Sequence, residues 1–202
     1  MLTIDYAKYD ALIFDMDGTL VDSMPAHLSA WEQALLKQQL PVHIDFVAQR
    51  GGMPTLKIAE QYQQHFKVSI DGERLLQDKR AGFDALWQKV SRIDASCQLL
   101  AEFQQTKKLG LGTGAERVNM QRIISNLDLA QYFEAMVCAE DVQAHKPEPD
   151  TFLQVAKQLA AAPQRCLVFE DTPFGLQAAH NAGMDCVLVK DMKLDAFMAV
   201  NS

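Results

Sequence analysis

No apolar run in this chain approaches the roughly 20 residues that a bilayer-spanning helix requires. The opening segment, Met1 to Asp10, alternates polar and apolar residues and lacks the hydrophobic stretch of a signal peptide. No membrane partner is therefore expected, and the expected compartment is the cytoplasm. Cysteine is scarce, with four among 202 residues, and Cys97, Cys138, Cys166 and Cys186 are too scattered for a disulfide frame or a zinc site. The last three lie in or beside apolar strand-like runs and read as buried thiols. Positive charge is also in short supply: 19 Lys and Arg against 26 Asp and Glu leave a net charge of −7. No basic face is available to neutralise a nucleic-acid backbone, which excludes that partner. A small anionic substrate stays compatible, because a metal ion and one or two lysines override a negative surface locally. Repeats and low-complexity tracts are absent as well. What remains is a globular chain, 49% hydrophobic, long enough for one large domain or a core carrying a smaller inserted one.

The most informative stretch is Ile13-Phe14-Asp15-Met16-Asp17-Gly18-Thr19-Leu20. Ala11, Leu12, Ile13 and Phe14 run without polar interruption into two aspartates spaced i, i+2, and a Gly-Thr pair follows: a buried strand ending in a turn. Side chains alternate along an extended segment, so Asp15 and Asp17 can converge at the strand's C-terminal edge, where open α/β sheets bind ligands. Two carboxylates there attract a hard cation such as Mg²⁺, and one of them can attack an electrophile. An isolated Asp-x-Asp is equally a strand running into an acidic turn, and the rest of the chain decides between the two.

After this strand the pattern is helical. Ser23 is a candidate cap for a helix with Pro25 in its first turn, running to about Gln39, on which His27 and Trp31 share a face. Thr55 is expected to cap a helix to about Phe66. From Asp71 a long helix is predicted to carry Phe83, Leu86, Trp87 and Val90 as one apolar stripe. This helical block interrupts an α/β pattern, giving a core of residues 1–23 and 93–202 and an inserted helical domain over 24–92. From about Ser96, helices alternate with strands at Lys108–Gly112, Ala135–Cys138, Cys166–Phe169 and Cys186–Val189. Near-continuous apolar strands separated by helices mean a parallel sheet covered on both faces.

Four strand ends then carry polar groups on one edge: Asp15 and Asp17, Thr113, Lys146 shortly after its strand, and Glu170 with Asp171. Each alone has an ordinary explanation: Thr113 as a turn residue or helix cap, Lys146 as a solvated lysine, Glu170-Asp171 as the acidic start of a helix near Pro173. Together they suit phosphoryl transfer. Asp15 is placed to take up the phosphoryl group as nucleophile, and Asp17 to protonate the leaving oxygen and then activate water. A cation held by Asp15, the Asp17 carbonyl and the Glu170-Asp171 pair would screen the repulsion between carboxylate and phosphate. Thr113, the following backbone N–H groups, Lys146 and a helix N-terminus after Gly114 would hold the outer phosphate oxygens.

These residues in this order resemble the four signature motifs of the haloacid dehalogenase superfamily of phosphatases and phosphotransferases. The helical insert with His27 and Trp31, and the Phe169-to-Ala179 segment, resemble its β-phosphoglucomutase-like branch and the sugar-phosphate phosphatases within it. The resemblance covers nearly the whole chain. It implies a three-layer Rossmann-like core, a four-helix cap that closes over the site on linkers near residues 23 to 25 and 91 to 95, Mg²⁺, and substrate contacts from His27 and the cap loop Gly51-Gly52. For His27, a core place beside Trp31 remains an equal alternative. Asp17 and Glu170-Asp171 argue against dehalogenation, which works without metal, and no cap lysine matches the motif of the phosphonate-cleaving relatives. In the mutases a cap-loop arginine lies a few residues beyond a glycine; here Arg50 precedes Gly51, and Glu116 stands where a lysine is usual. The expectation is a monomeric phosphatase acting on a small phosphorylated metabolite, with a phosphohexomutase as the alternative.

Overall fold

The computed structural model describes residues 3–51 and 53–200. The chain divides into two compact units, one formed by residues up to Asp22 together with those from Ser91 onward, the other by Ser23–Val90.

In the first unit, β1 (Ala11–Phe14) is buried at all four positions, as its uninterrupted apolar sequence requires of a strand with neighbours on both sides. A two-residue strand β2 (Val21–Asp22) precedes the helical unit, and β3 (Ser91–Arg92) follows it. The two pair antiparallel, Val21 opposite Arg92. The helical unit comprises α1 (Met24–Lys37), α2 (Ile44–Ala48), α3 (Thr55–Phe66) and α4 (Gly72–Asp84). Returning to the first unit, the order is α5 (Asp94–Phe103), β4 (Lys108–Gly112), α6 (Arg117–Asn126), β5 (Ala135–Val137), α7 (Asp150–Gln158), β6 (Cys166–Glu170), α8 (Pro173–Asn181), β7 (Asp185–Lys190) and β8 (Lys193–Met198).

The main sheet has six strands in the order β5-β4-β1-β6-β7-β8. It is parallel except for β8, which runs antiparallel to β7 along one edge. β1 lies at the centre, with Leu12 opposite Leu109 of β4 on one side and Leu167 of β6 on the other. The strand order reverses across β1, and such switch points are where open α/β sheets leave a crevice at their C-terminal edge. Ala11 and Ile13 face α7 and α8 in a core that includes Val137, Phe152, Val155, Val168, Ala178 and Cys186. Gly110 and Gly112 are glycines because α7 lies close over β4: a Cβ on Gly110 would meet Val155 Cγ1 at 2.3 Å. On alternate positions, Phe14 stacks on Phe169 with ring centroids 4.5 Å apart.

The helical unit has its own core of Trp31, Ala34, Leu35, Val47, Ile58, Ala59, Tyr62 and Leu75. α1 and α4 form its main pair, and Gly82 sits where a Cβ would come within 3.2 Å of Ala30.

Several local expectations are corrected. α1 stops at Lys37, with Gln39 at φ +56°, and Ser23 has helical dihedrals with no side-chain capping bond. Pro54, not Thr55, occupies the cap position of α3. α4 ends at Asp84, so Trp87 sits in a short 3-10 turn, Trp87–Lys89, while Phe83 and Val90 are still buried. α6 begins at Arg117, not directly after Gly114. The sheet is not wholly parallel, because Lys193–Met198 adds an antiparallel edge strand.

Candidate functional site

Asp15 leaves the C-terminal end of β1 still tied to the sheet, its N–H donating to the Phe169 carbonyl at 3.0 Å. The residue is only 5% exposed. The chain then turns sharply: the Met16 carbonyl accepts N–H bonds from Thr19, Leu20 and Val21, and Gly18 takes φ +84°. That turn is why Gly follows Asp17. A Cβ on Gly18 would lie 2.1 Å from Asp171 Oδ2, so the glycine also admits a carboxylate from the end of β6.

Lys146, in the loop between β5 and α7, is the pivot of the site. Its ammonium donates to Asp15 Oδ1 at 2.5 Å, to Glu170 Oε1 at 2.9 Å and to the Gly112 carbonyl at 3.3 Å. All three protons thus point at acceptors from β1, β6 and β4. Sequence alone suggests Lys146 as a phosphate ligand; in the folded chain it holds the carboxylates, with the Phe152 ring 4.6 Å from its nitrogen.

Glu170 is held from its other side. Its Oε2 accepts from the Thr172 N–H at 2.5 Å and the Thr172 hydroxyl at 2.9 Å. Thr172 in turn caps α8 by accepting from the Gly175 N–H at 3.0 Å. The Glu170-Asp171 pair therefore does not cap α8; Thr172 does, and it orients Glu170 as it does so. Asp171 accepts from the Thr19 hydroxyl at 3.4 Å.

Among the described residues, Asp15, Glu170 and Asp171 form the one cluster of three or more candidate metal-binding side chains, with one oxygen from each lying within 4.8 Å of the others. The Asp17 side chain is outside that group, although its charge contributes to the field on Asp171. Electrostatics in the cluster are unbalanced. Burial, reinforced by Glu170 and Asp171, pushes the Asp15 carboxyl up, and Lys146 pulls it only partly back. Burial and then the Glu170 charge push Asp171 up to about 8. Burial opposes the charge on Lys146, but Asp15 and Glu170 outweigh it and hold the ammonium above its ordinary range. Three carboxylates facing one ammonium call for further positive charge, and an all-oxygen donor set favours a hard divalent ion such as Mg²⁺. The residues fit that ion.

Thr113 follows β4 and is 1% exposed. Its N–H extends the ladder to the Val137 carbonyl at 2.9 Å, and its hydroxyl accepts from the Ala115 N–H at 3.0 Å across exposed Gly114. At the start of α6 the Arg117 N–H donates to both Glu140 oxygens, at 3.1 and 3.0 Å.

In the helical unit, His27 lies on α1, stacked on Phe83 at 4.1 Å, with Nδ1 3.2 Å from Lys79 Nζ. Trp31 is buried in that unit's core. Gly51 lies in the turn after α2, its N–H donating to the Ala48 carbonyl, and Gly52 falls outside the described residues. The Arg50 guanidinium lies over the Phe46 ring at 3.4 Å and donates to Gln61 Oε1 and the Phe46 carbonyl, both at 2.8 Å.

Two contributors lie within the Phe169-to-Ala179 segment but have no role assigned from the sequence, Thr172 and Gly175. The signal for Gly175 is a glycine within an apolar helical segment, a position that costs helix stability unless packing requires it. A Cβ there would lie 1.8 Å from the Glu170 carboxyl carbon.

The chain matches the family of haloacid dehalogenase-like hydrolases over residues 12–189. It is 35% identical to the fructose-1-phosphate phosphatase YqaB of Escherichia coli over 92% of this chain and 98% of that protein. It is 30% identical to a phosphorylated carbohydrates phosphatase of Thermotoga maritima over 87% of this chain and 82% of that one. Among solved structures, a hydrolase from Pseudomonas syringae superposes with a TM-score of 0.81 at 25% identity, covering 92% of this chain and 87% of the other.

Proposed function

This chain belongs to the haloacid dehalogenase-like hydrolase family, and from that membership we infer that it is a phosphoric monoester hydrolase whose substrate is a small sugar phosphate. The observation that carries the reading is the buried Asp15 carboxylate, paired with Lys146 at 2.5 Å beside Glu170 and Asp171. A carboxylate that burial pushes toward protonation is a poor nucleophile unless its charge is stabilised, and the Lys146 ammonium supplies that stabilisation.

In this reading Asp15 attacks phosphorus, the phosphorus–ester oxygen bond breaks, and the departing alkoxide takes the proton of Asp17. Asp17, now a carboxylate, removes a proton from the water that attacks the aspartyl phosphate, releasing inorganic phosphate and restoring Asp15. Thr113 and Gly114 hold the outer phosphate oxygens. Asp15, Glu170 and Asp171, with the Asp17 carbonyl, would hold Mg²⁺, which supplies charge neutralisation between the carboxylate nucleophile and the phosphate. Sugar selection falls to the helical unit, with His27, Gly51 and Gly52 as its contributors. The sugar itself is proposed from the names of the E. coli and T. maritima relatives. Hydrolysis is favoured over mutase chemistry because Arg50 is committed to Phe46 and Gln61 and Glu116 replaces a cation, which leaves a second phosphate without its usual grips.

The test is phosphate release from a panel of sugar phosphates, fructose 1-phosphate among them, with Mg²⁺ and with chelator. The parent is expected to release phosphate only with Mg²⁺, and Asp15→Asn to release none. Isomerisation driven by a sugar bisphosphate, without net phosphate release, would replace this reading with the mutase.

A further inference from the structure

We propose that Glu140 and Asp141, in the short turn after β5, are positioning residues that set the phosphate-binding loop Thr113-Gly114-Ala115. This rests on the reading of that loop given above.

The loop has a buried anchor at Thr113, whose hydroxyl spans an exposed glycine to accept from the Ala115 N–H at 3.0 Å. The remaining contacts that fix it come from the neighbouring turn. The Ala139 N–H donates to the Ala115 carbonyl at 3.0 Å. One residue on, the Glu140 carboxylate receives the Arg117 N–H at both oxygens. Asp141 Oδ1 then receives the Arg117 guanidinium at 2.5 Å. Asp141 is itself fixed, its Oδ2 accepting from the Cys138 N–H at 2.9 Å and from the Cys138 thiol at 3.1 Å. Cys138 is fully buried at the end of β5, so the chain Cys138–Asp141–Arg117–Glu140 ties the exit of the loop to the sheet. Together with the Thr113–Val137 bond, these contacts hold the loop at its start, at its end and just beyond it.

The arrangement looks electrostatically wrong for an anion site, because it places two carboxylates beside the N-terminus of α6, where a phosphate would gain most from the helix dipole. Their geometry resolves this: they consume the donors of Arg117, while the loop one turn earlier is left to face the ligand. Fixed donors bind better than mobile ones because no ordering cost falls on the binding step, and a misplacement of about 1 Å can cost 100-fold in rate.

Charge and position therefore predict opposite signs. Removing an acid near an anion site tightens binding if only its charge matters, and weakens binding if it holds the loop. The experiment is titration of the full chain, with saturating Mg²⁺, by inorganic phosphate, for the parent, Glu140→Ala, Glu140→Gln, Asp141→Asn and Thr113→Ala, alongside melting curves. We expect Glu140→Ala to raise the phosphate Kd on the order of tenfold with little change in Tm. Glu140→Gln, which keeps an acceptor for the Arg117 N–H, should recover most of the affinity. Asp141→Asn should fall between them. Unchanged or tighter binding by Glu140→Ala, when Thr113→Ala has lost affinity, would overturn the positioning role alone. Parental binding by Thr113→Ala would overturn the phosphate role of the loop, and the positioning role with it.

Discussion

Gly175 and Glu170 compete for one volume. A Cβ on Gly175 would lie 1.8 Å from the Glu170 carboxyl carbon and 1.9 Å from its Oε1, the oxygen that receives the Lys146 ammonium. Gly175 lies in the first turn of α8, and replacing a helical glycine by alanine ordinarily favours the helix, by up to about 1 kcal/mol in its interior. Here Gly175→Ala is expected to expel Glu170 from its place between Lys146 and Thr172. Groups that support a metal site typically carry about 10- to 100-fold in metal affinity, so Mg²⁺ titration should show a loss of that order with phosphatase activity falling alongside. Parental Mg²⁺ affinity in this variant would remove Glu170 from the cation site.

Lys146 is the cation paired with both Asp15 and Glu170, and breaking a buried ion pair by removing one partner costs about 3–5 kcal/mol. For a chain of this length, that corresponds to a drop in Tm of ~10 °C. Lys146→Met is expected to melt that much earlier without divalent ions and to regain part of the loss when Mg²⁺ is added, while staying inactive. A melting curve indifferent to both the substitution and Mg²⁺ would show that Lys146 does not balance the carboxylates.

Gly110 gives the opposite separation of stability from chemistry. It lies in β4 beneath α7, where an added Cβ would meet Val155 Cγ1 at 2.3 Å and Leu159 Cδ1 at 3.0 Å. Gly110→Ala overpacks the core and should cost about 1–3 kcal/mol, read as a lower denaturation midpoint. At a temperature where the variant is folded, kcat should match the parent. A selective loss of kcat would mean that α7 transmits its position to the site.

The Asp141 carboxyl is held below its usual range, first by the Cys138 N–H and further by the thiol and Arg117, against the opposing effect of burial. A carboxyl lowered on folding stabilises the native state above its unfolded value, and that contribution is lost as pH falls through the folded value. The Tm difference between parent and Asp141→Asn should therefore be largest near neutral pH and shrink below about pH 4. A difference that stays constant through the acid range would show that Asp141 acts without titrating.

Three departures of the structure from the sequence pattern share a cause. Phe83, Leu86, Trp87 and Val90 continue a helical spacing, yet α4 ends at Asp84 and a 3-10 turn carries the chain on to buried Val90. Periodicity says which residues seek the core and is silent on how the backbone delivers the last of them. The start of α6 falls later than its local sequence suggests, and the acid that satisfies its first N–H, Glu140, comes 23 positions further on. The edge strand Lys193–Met198 alternates polar and apolar residues only as far as Ala196, and it is defined by the neighbour it finds, β7.

What the sequence determined by itself was the identity and order of the chemical groups. Apolar runs must become buried strands, and a parallel sheet delivers whatever follows them to one edge, which is enough to bring Asp15, Thr113, Lys146 and Glu170-Asp171 into view together. Tertiary structure alone decided what each group does there. It turned the Lys146 ammonium onto Asp15 and Glu170, cleared the space for Glu170 at Gly175 and for Asp171 at Gly18, and gave the N-terminus of α6 to Glu140. Spacing along the chain fixes which edge a side chain reaches; the direction of its last few ångströms depends on partners far away in sequence, and those contacts exist only once the chain has folded.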